Sequence, residues 1–209
     1  MEDLKLEKAR FILSAPSVAL LPQDGLPEMA VVGRSNVGKS SFLNYLANQK
    51  TLARVSKTPG RTQALNVFEA RLKDLELRIL DLPGLGYAQL SLEERSRLSD
   101  LISDYLNDRQ PLKMVIHLLD CRRDPIAEDI RLSRQLRSHV DQYQAVLTKI
   151  DQIPVSKRKE ARLRISQALQ ISVDDCLTVS AHSNLGRFEI LETIYGLMAP
   201  GRKPNLYSI

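Results

Sequence analysis

Residues 33–40 read G-R-S-N-V-G-K-S and sit between an apolar run, 29–32, and a helix-patterned stretch, 39–48. A glycine-rich turn at a strand end aims successive backbone N–H groups inward, and the helix behind it adds the partial positive charge of its N-terminus. Gly33, Arg34, Ser35, Asn36, Val37, Gly38, Lys39, Ser40 and Ser41 would together cradle a polyphosphate. The Lys39 ammonium would reach the β- and γ-phosphates and stabilise charge developing during phosphoryl transfer, while the Ser40 hydroxyl would ligate a Mg2+ bridging the same two groups. Gly33 and Gly38 permit a close approach that a Cβ would obstruct.

A phosphate loop alone leaves kinases, ATPases and GTPases open, and residues further along narrow the choice. Asp81-Leu82-Pro83-Gly84 follows a predicted strand. The acid would hold Mg2+ through water, and the Gly84 N–H would sense the γ-phosphate. Thr148-Lys149-Ile150-Asp151 closes the apolar run 145–147, which puts Asp151 beyond the carboxyl end of a strand, where open α/β sheets bind ligands. One carboxylate accepts from both N1–H and N2–H2 of guanine, whereas adenine presents no such pair of donors. A site built this way rejects the wrong base by about 10⁴. The Lys149 stem would lie over the base. A plain helix N-cap is the alternative role for Asp151.

Val179-Ser180-Ala181 follows another strand and would offer a backbone N–H to guanine O6. Between the phosphate loop and Asp81 lies K-T-P-G-R-T-Q, residues 57–63. Gly60, Arg61, Thr62, Gln63 and the following Ala64 would order around Mg2+ and γ-phosphate and relax after hydrolysis. Spacing alone leaves Thr58 and Thr62 level as the second protein ligand for Mg2+.

These residues need a scaffold, and the chain alternates short apolar runs with longer amphipathic stretches, the pattern of a parallel sheet with helical crossovers. Strands are predicted at 29–32, 64–72, 75–80, 114–120, 145–148 and 177–179, with helices at 39–48, 92–108, 126–138, 156–169 and 188–198. Lys73-Asp74 reads as a hairpin turn, so one strand is antiparallel and the six-stranded sheet is mixed. The α/β reading is a three-layer sandwich. Residues 1–28 read as an N-terminal extension with three prolines, one possible strand at 10–13 and no core pattern. Residues 29–199 form the nucleotide-binding domain, and 200–209 a flexible tail.

With 209 residues and 43% hydrophobic content, the chain can bury one sizeable core. The charged start does not suit a signal peptide, and the longest apolar run, 114–119, is too short to cross a bilayer, so a cytoplasmic protein is expected. Cys121 and Cys176 fall in no metal-ligand spacing and read as buried small residues. His117, inside an apolar run, reads as a core or sheet-edge residue. The net charge of +5 favours contact with a polyanion. The densest basic stretch, Lys157, Arg158, Lys159, Arg162 and Arg164, reads first as a solvated helix face and second as an RNA-binding one.

Taken together, G-R-S-N-V-G-K-S-S-F-L-N, K-T-P-G-R-T-Q, D-L-P-G-L-G-Y-A, T-K-I-D and V-S-A resemble the EngB (YihA/YsxC) family of bacterial GTPases, within the TrmE-Era-EngA-YihA-septin group. The likeness runs from about residue 11 to 198. It implies a Ras-like P-loop GTPase domain that binds GTP and GDP with Mg2+. It also implies a role in assembly of the large ribosomal subunit through its precursor and rRNA, a monomeric state, and disturbed division and septation when the protein is lost. The family pattern assigns Thr62 as the switch ligand of Mg2+. D-C-R-R-D at 120–124 departs from that pattern, which bears on partner contacts.

Ras-type enzymes orient the attacking water with a glutamine directly after D-x-x-G, where this chain has Leu85. A leucine cannot orient water by hydrogen bonding, so slow intrinsic hydrolysis is expected. Asn36 has two readings: in related GTPases an asparagine there helps bind K+, and in any protein it can stabilise a loop turn. A small-molecule phosphotransferase would share the phosphate loop but leave T-K-I-D unexplained. A septum-associated GTPase that binds proteins without RNA is the other alternative.

Overall fold

A strand covered on both faces needs apolar residues at consecutive positions, and a helix lying on the sheet needs them along one stripe only. The computed structural model, which describes residues 4–53, 64–84 and 91–199, places such segments in alternation. In chain order they are β1 (Leu6–Ala15), β2 (Glu28–Gly33), α1 (Lys39–Ala47), β3 (Leu65–Leu72), β4 (Leu75–Asp81) and α2 (Leu92–Asp108). Then come β5 (Leu112–Asp120), α3 (Ala127–His139), β6 (Gln142–Thr148), α4 (Val155–Leu169), β7 (Cys176–Thr178) and α5 (Arg187–Met198).

Among the described residues the strands form one sheet in the order β1-β3-β4-β2-β5-β6-β7. β2 lies at its centre, parallel to β4 and β5, and all six of its residues are buried. Met29 and Val31 pack with Phe42, Leu43 and Leu46 of α1 and Ile190, Leu191 and Ile194 of α5. Ala30 and Val32 face Leu101, Ile102 and Tyr105 of α2 and Leu136 of α3. This is the expected three-layer arrangement. Cys121 and Cys176, both free and buried, join Ile165 and Leu169 of α4 in a smaller cluster over β6.

The sheet has seven strands where six were expected, and the added one is β1. It pairs antiparallel with β3, as β3 does with β4 across the Lys73-Asp74 turn. Residues 1–28 also contribute to the core, since Leu4, Leu6, Ala9, Ala15 and Leu21 are buried. The pattern was hidden because the register shifts between Glu7 and Arg10 and again between Phe11 and Leu13, and each bulge breaks the period-two alternation. His117 is in the core. Burial pushes its imidazole down to about 3, and Nδ1 lies 2.9 Å from the Tyr143 hydroxyl.

Polar groups close the opposite rim of the sheet from the phosphate loop. Glu28, fully buried at the start of β2, accepts from Arg109 Nε at 3.0 Å and from the Tyr105 hydroxyl at 3.1 Å. Removing one member strands a buried charge, so Arg109→Ala should cost about 3–5 kcal/mol and lower Tm by roughly 6–20 °C. A thermal scan showing a shift under about 2 °C would contradict this.

Candidate functional site

The turn after β2 is built by backbone geometry that few side chains tolerate. Gly33 has φ +153°, and a Cβ there would lie 2.7 Å from the Leu118 carbonyl oxygen. Asn36 (φ +63°) and Gly38 (φ +108°) also occupy the left-handed region, which Asn and Gly enter at least cost. Gly38 caps α1 without a side-chain hydrogen bond, so the first-turn N–H groups point outward as donors for an anion.

Lys39 and Asp81 meet behind this turn. Lys39 Nζ donates to the Gly33 carbonyl at 3.4 Å, and burial lowers its ammonium, with Asp81 pulling the other way. Burial pushes the Asp81 carboxyl up to about 6, against the pull of Lys39 and a hydrogen bond with Asn66. Its Oδ1 is buried and makes no hydrogen bond among the described residues. An orphaned carboxylate oxygen beside an anion cradle is what a hydrated divalent cation satisfies.

The sign of the resulting pH effect follows from the direction of that shift. Without metal, folded Asp81 binds its proton more tightly than the unfolded carboxyl (about 3.9), so it costs stability that is absent below about pH 4 and complete above about pH 6. Asp81→Asn removes the cost. Urea unfolding in chelator should find the variant more stable than its parent by about 1–3 kcal/mol at neutral pH, with the gap narrowing at about pH 4.5. An equal gap at both would refute this.

The second half of the site lies beyond β6. A cavity of about 650 Å³ is lined by Gly38, Ser41, Thr148, Lys149, Asp151, Val179, Ala181 and His182, among others. Thr148 is buried, and its hydroxyl donates to the Val37 carbonyl at 2.8 Å, tying β6 to the phosphate loop. Lys149 (φ +62°) adds a second tie: Nζ donates to the Asn36 carbonyl and to Asp120 Oδ2, each at 2.9 Å. Burial works against ionisation of Asp120, yet Arg122 and Lys149 hold its carboxyl well below the usual range. Asp151 sits in a short 3-10 turn and accepts from the Ser180 hydroxyl at 2.6 Å. The Val179 and Ser180 N–H groups are taken by the Leu147 and Leu185 carbonyls, which leaves Ala181 N–H as the donor facing the cavity.

The structure thus brings Gly33 to Ser41, Asp81 to Gly84, Thr148 to Asp151 and Val179 to Ala181 to one edge of the sheet, at the carboxyl ends of β2, β4, β6 and β7. Leu82, Pro83 and Gly84 are buried, Ile150 packs into the core, and Ala64 directly precedes β3. Gly60, Arg61, Thr62 and Gln63 lie outside the described residues, as do Thr58, Leu85 and the tail 200–209. Sequence reasoning missed the Ser180 hydroxyl as a partner of Asp151, Asp120 as a partner of Lys149, and His182 in the cavity wall. For Asp120 a signal existed, because an acid ending β5 falls opposite Thr148 at the end of β6.

A phosphate cradle and a carboxylate-floored base pocket on one edge of a doubly covered, mostly parallel sheet define a Ras-like P-loop GTPase. A sequence profile for the family described as 50S ribosome-binding GTPase matches residues 28–155. The chain is 40% identical over 193 residues to the probable GTP-binding protein EngB of Streptococcus pneumoniae strain P1031, covering 92% of this chain and 97% of that one. It belongs to the EngB family of GTP-binding proteins, and it is a GTPase that binds GTP and GDP. Its fold recurs among solved structures. A probable GTP-binding protein EngB superposes with TM-score 0.61 at 22% identity, over 79% of this chain and 95% of that one. Era of Aquifex aeolicus bound to GDP and aluminium fluoride gives 0.69 at 20% identity, over 81% and 56%.

Proposed function

We propose that this GTPase is a slow switch acting in the cytoplasm, as a monomer, in assembly of the large ribosomal subunit, and that normal division and septation depend on it. The observation that carries the switch is a phosphate-loop turn beside a cavity lined by Asp151, in a chain that has Leu85 where a water-orienting glutamine would stand. The net charge of +5 and the ribosome-binding description of the matching family support an RNA-rich partner. No helix among the described residues is long and apolar enough to cross a membrane.

In this reading residues 29–199 act as one nucleotide-binding unit. Asp151 accepts from the guanine edge, Ala181 N–H donates to O6, and the phosphate-loop amides with Lys39 stabilise charge as the γ-phosphoryl leaves. Ser40 and Thr62 would hold Mg2+, with Asp81 reaching it through water; the ion supplies charge neutralisation on the β- and γ-oxygens. Gly84 and the Gly60 to Ala64 segment register whether the γ-phosphate is there. A precursor that binds only the GTP state supplies the coupling energy.

K+ is included in the proposal. The Asn36 side chain is exposed and makes no hydrogen bond among the described residues, while its backbone carbonyl already anchors Lys149, so the amide is free for a cation. Turnover should be faster in potassium than in sodium salts, and equal rates would remove K+.

The ribosome assignment is tested by sedimenting cell extract with and without a nonhydrolysable GTP analogue. Co-migration with large-subunit precursors in the analogue, weakened by added salt, is expected. Absence from ribosomal fractions in both conditions would favour a septum-associated GTPase that binds proteins without RNA.

A further inference from the structure

Three polar residues stand side by side at the site end of the sheet. Ser14 of β1 is the cross-strand partner of Asn66 in β3, and Asn66 is the partner of Asp81 in β4. Directly opposed residues share a face with their Cβ atoms about 4.5–5.5 Å apart. Their chain neighbours Ala15, Leu65 and Leu80 pack toward α2 and α3, so Ser14, Asn66 and Asp81 project to the other side, where Lys39 and α1 lie.

The Ser14 hydroxyl donates to Asn66 Oδ1 at 2.6 Å. With its oxygen held there, the Asn66 amide turns its NH2 toward Asp81, its direct cross-strand neighbour, where it favours the ionised carboxylate. A flipped amide would keep a bond to the Ser14 hydroxyl, now as donor, but would set its oxygen against the carboxylate, so the pairing with Asp81 fixes the orientation. Asp81 therefore has Asn66 on one side and a buried, unpartnered Oδ1 among the described residues.

We propose that Asn66 and Ser14 are positioning residues for the metal-directed carboxylate: Asn66 orients Asp81 so that a free oxygen faces the cation, and Ser14 acts through Asn66. This rests on the reading of Asp81 as a water-mediated Mg2+ ligand. By this route the N-terminal strand β1 takes part in metal retention, although no residue of β1 belongs to the phosphate loop or the base pocket.

The test measures release of a fluorescent GDP from the full chain against Mg2+ concentration, with EDTA as the metal-free baseline. Asn66→Ala should raise the Mg2+ concentration for half-maximal retention about tenfold, the scale of one hydrogen bond to a charged group, and Ser14→Ala about threefold. Because Ser14 works through Asn66, the double variant should match Asn66→Ala alone. Release in EDTA should stay within about twofold of the parent for all three, which a general loosening of the sheet would not allow.

An unchanged Mg2+ requirement in Asn66→Ala, factors that multiply in the double variant, or an EDTA rate shifted as much as the Mg2+ dependence would each overturn the relay. Should the parent itself release GDP independently of Mg2+, the metal reading of Asp81 falls and the relay with it. Ser14 lies on the exposed edge strand, so its variant keeps the test open even where Asn66→Ala folds poorly.

Discussion

Asp151→Asn should convert a guanine site into one that prefers xanthine. The carboxylate accepts from the Ser180 hydroxyl through Oδ1 and faces the cavity where a base edge would lie. In the variant the Ser180 bond holds the amide oxygen in place, so Nδ2 takes the outer position. There it meets the guanine N2–H2 group donor to donor, but donates to the C2 oxygen of xanthine. Loss of one acceptor plus that opposition should weaken GTP binding by about 10³, roughly 4 kcal/mol, with XTP bound more tightly than GTP. Isothermal titration with both nucleotides measures this. Unchanged selectivity for GTP would return Asp151 to the role of a simple turn residue.

Lys39→Ala should remove measurable nucleotide affinity and leave the fold intact. Among the described residues the ammonium makes one long hydrogen bond, to the Gly33 carbonyl at 3.4 Å, and it is held in a site where burial disfavours its charge. A half-buried cation so lightly tied is available for phosphate. Its loss should cost about 3 kcal/mol of binding or more, at least a hundredfold, because the β- and γ-phosphates would face the orphaned Asp81 carboxylate without compensation. Far-ultraviolet circular dichroism should match the parent while GTP binding vanishes. A dissociation constant within about threefold of the parent would refute the role.

Local motifs were legible because their chemistry is local. Gly33 and Gly38 announce a backbone at positive φ, and the structure shows it at both, with a Cβ colliding with the Leu118 carbonyl at Gly33 alone of the two. The sequence predicts the Lys149 stem over the face of a base, and in the structure its Nζ donates to the Asn36 carbonyl, 113 residues away, a tie between the two loops. The spacing of T-K-I-D carries no information about that partner, since the two loops meet only when β6 and β2 flank β5. Ser180 is a similar case. Short spacing predicts a backbone N–H for the base from Val179-Ser180-Ala181 without saying which; in the structure the Ser180 N–H is spent on Leu185 and its hydroxyl on Asp151.

The N-terminal segment resisted reading for a different reason. Two bulges in β1 shift the alternation of buried and exposed residues, and period-two patterning is the main sign by which a strand is recognised. Its pairing with β3 is settled by contacts between residues more than fifty positions apart, such as Ser14 with Asn66.

By itself, the sequence determined the glycine-bearing turn after β2, the place of Asp151 at the end of a strand, the alternating scaffold and the leucine after D-x-x-G, because each depends on residue type and short spacing. Tertiary structure alone decided which donors remain free for the base, how the two loops are tied, and that β1 stands in line with Asp81. Those outcomes depend on strand order and register, which bring distant residues to one edge of the sheet and are encoded in the packing of the whole chain.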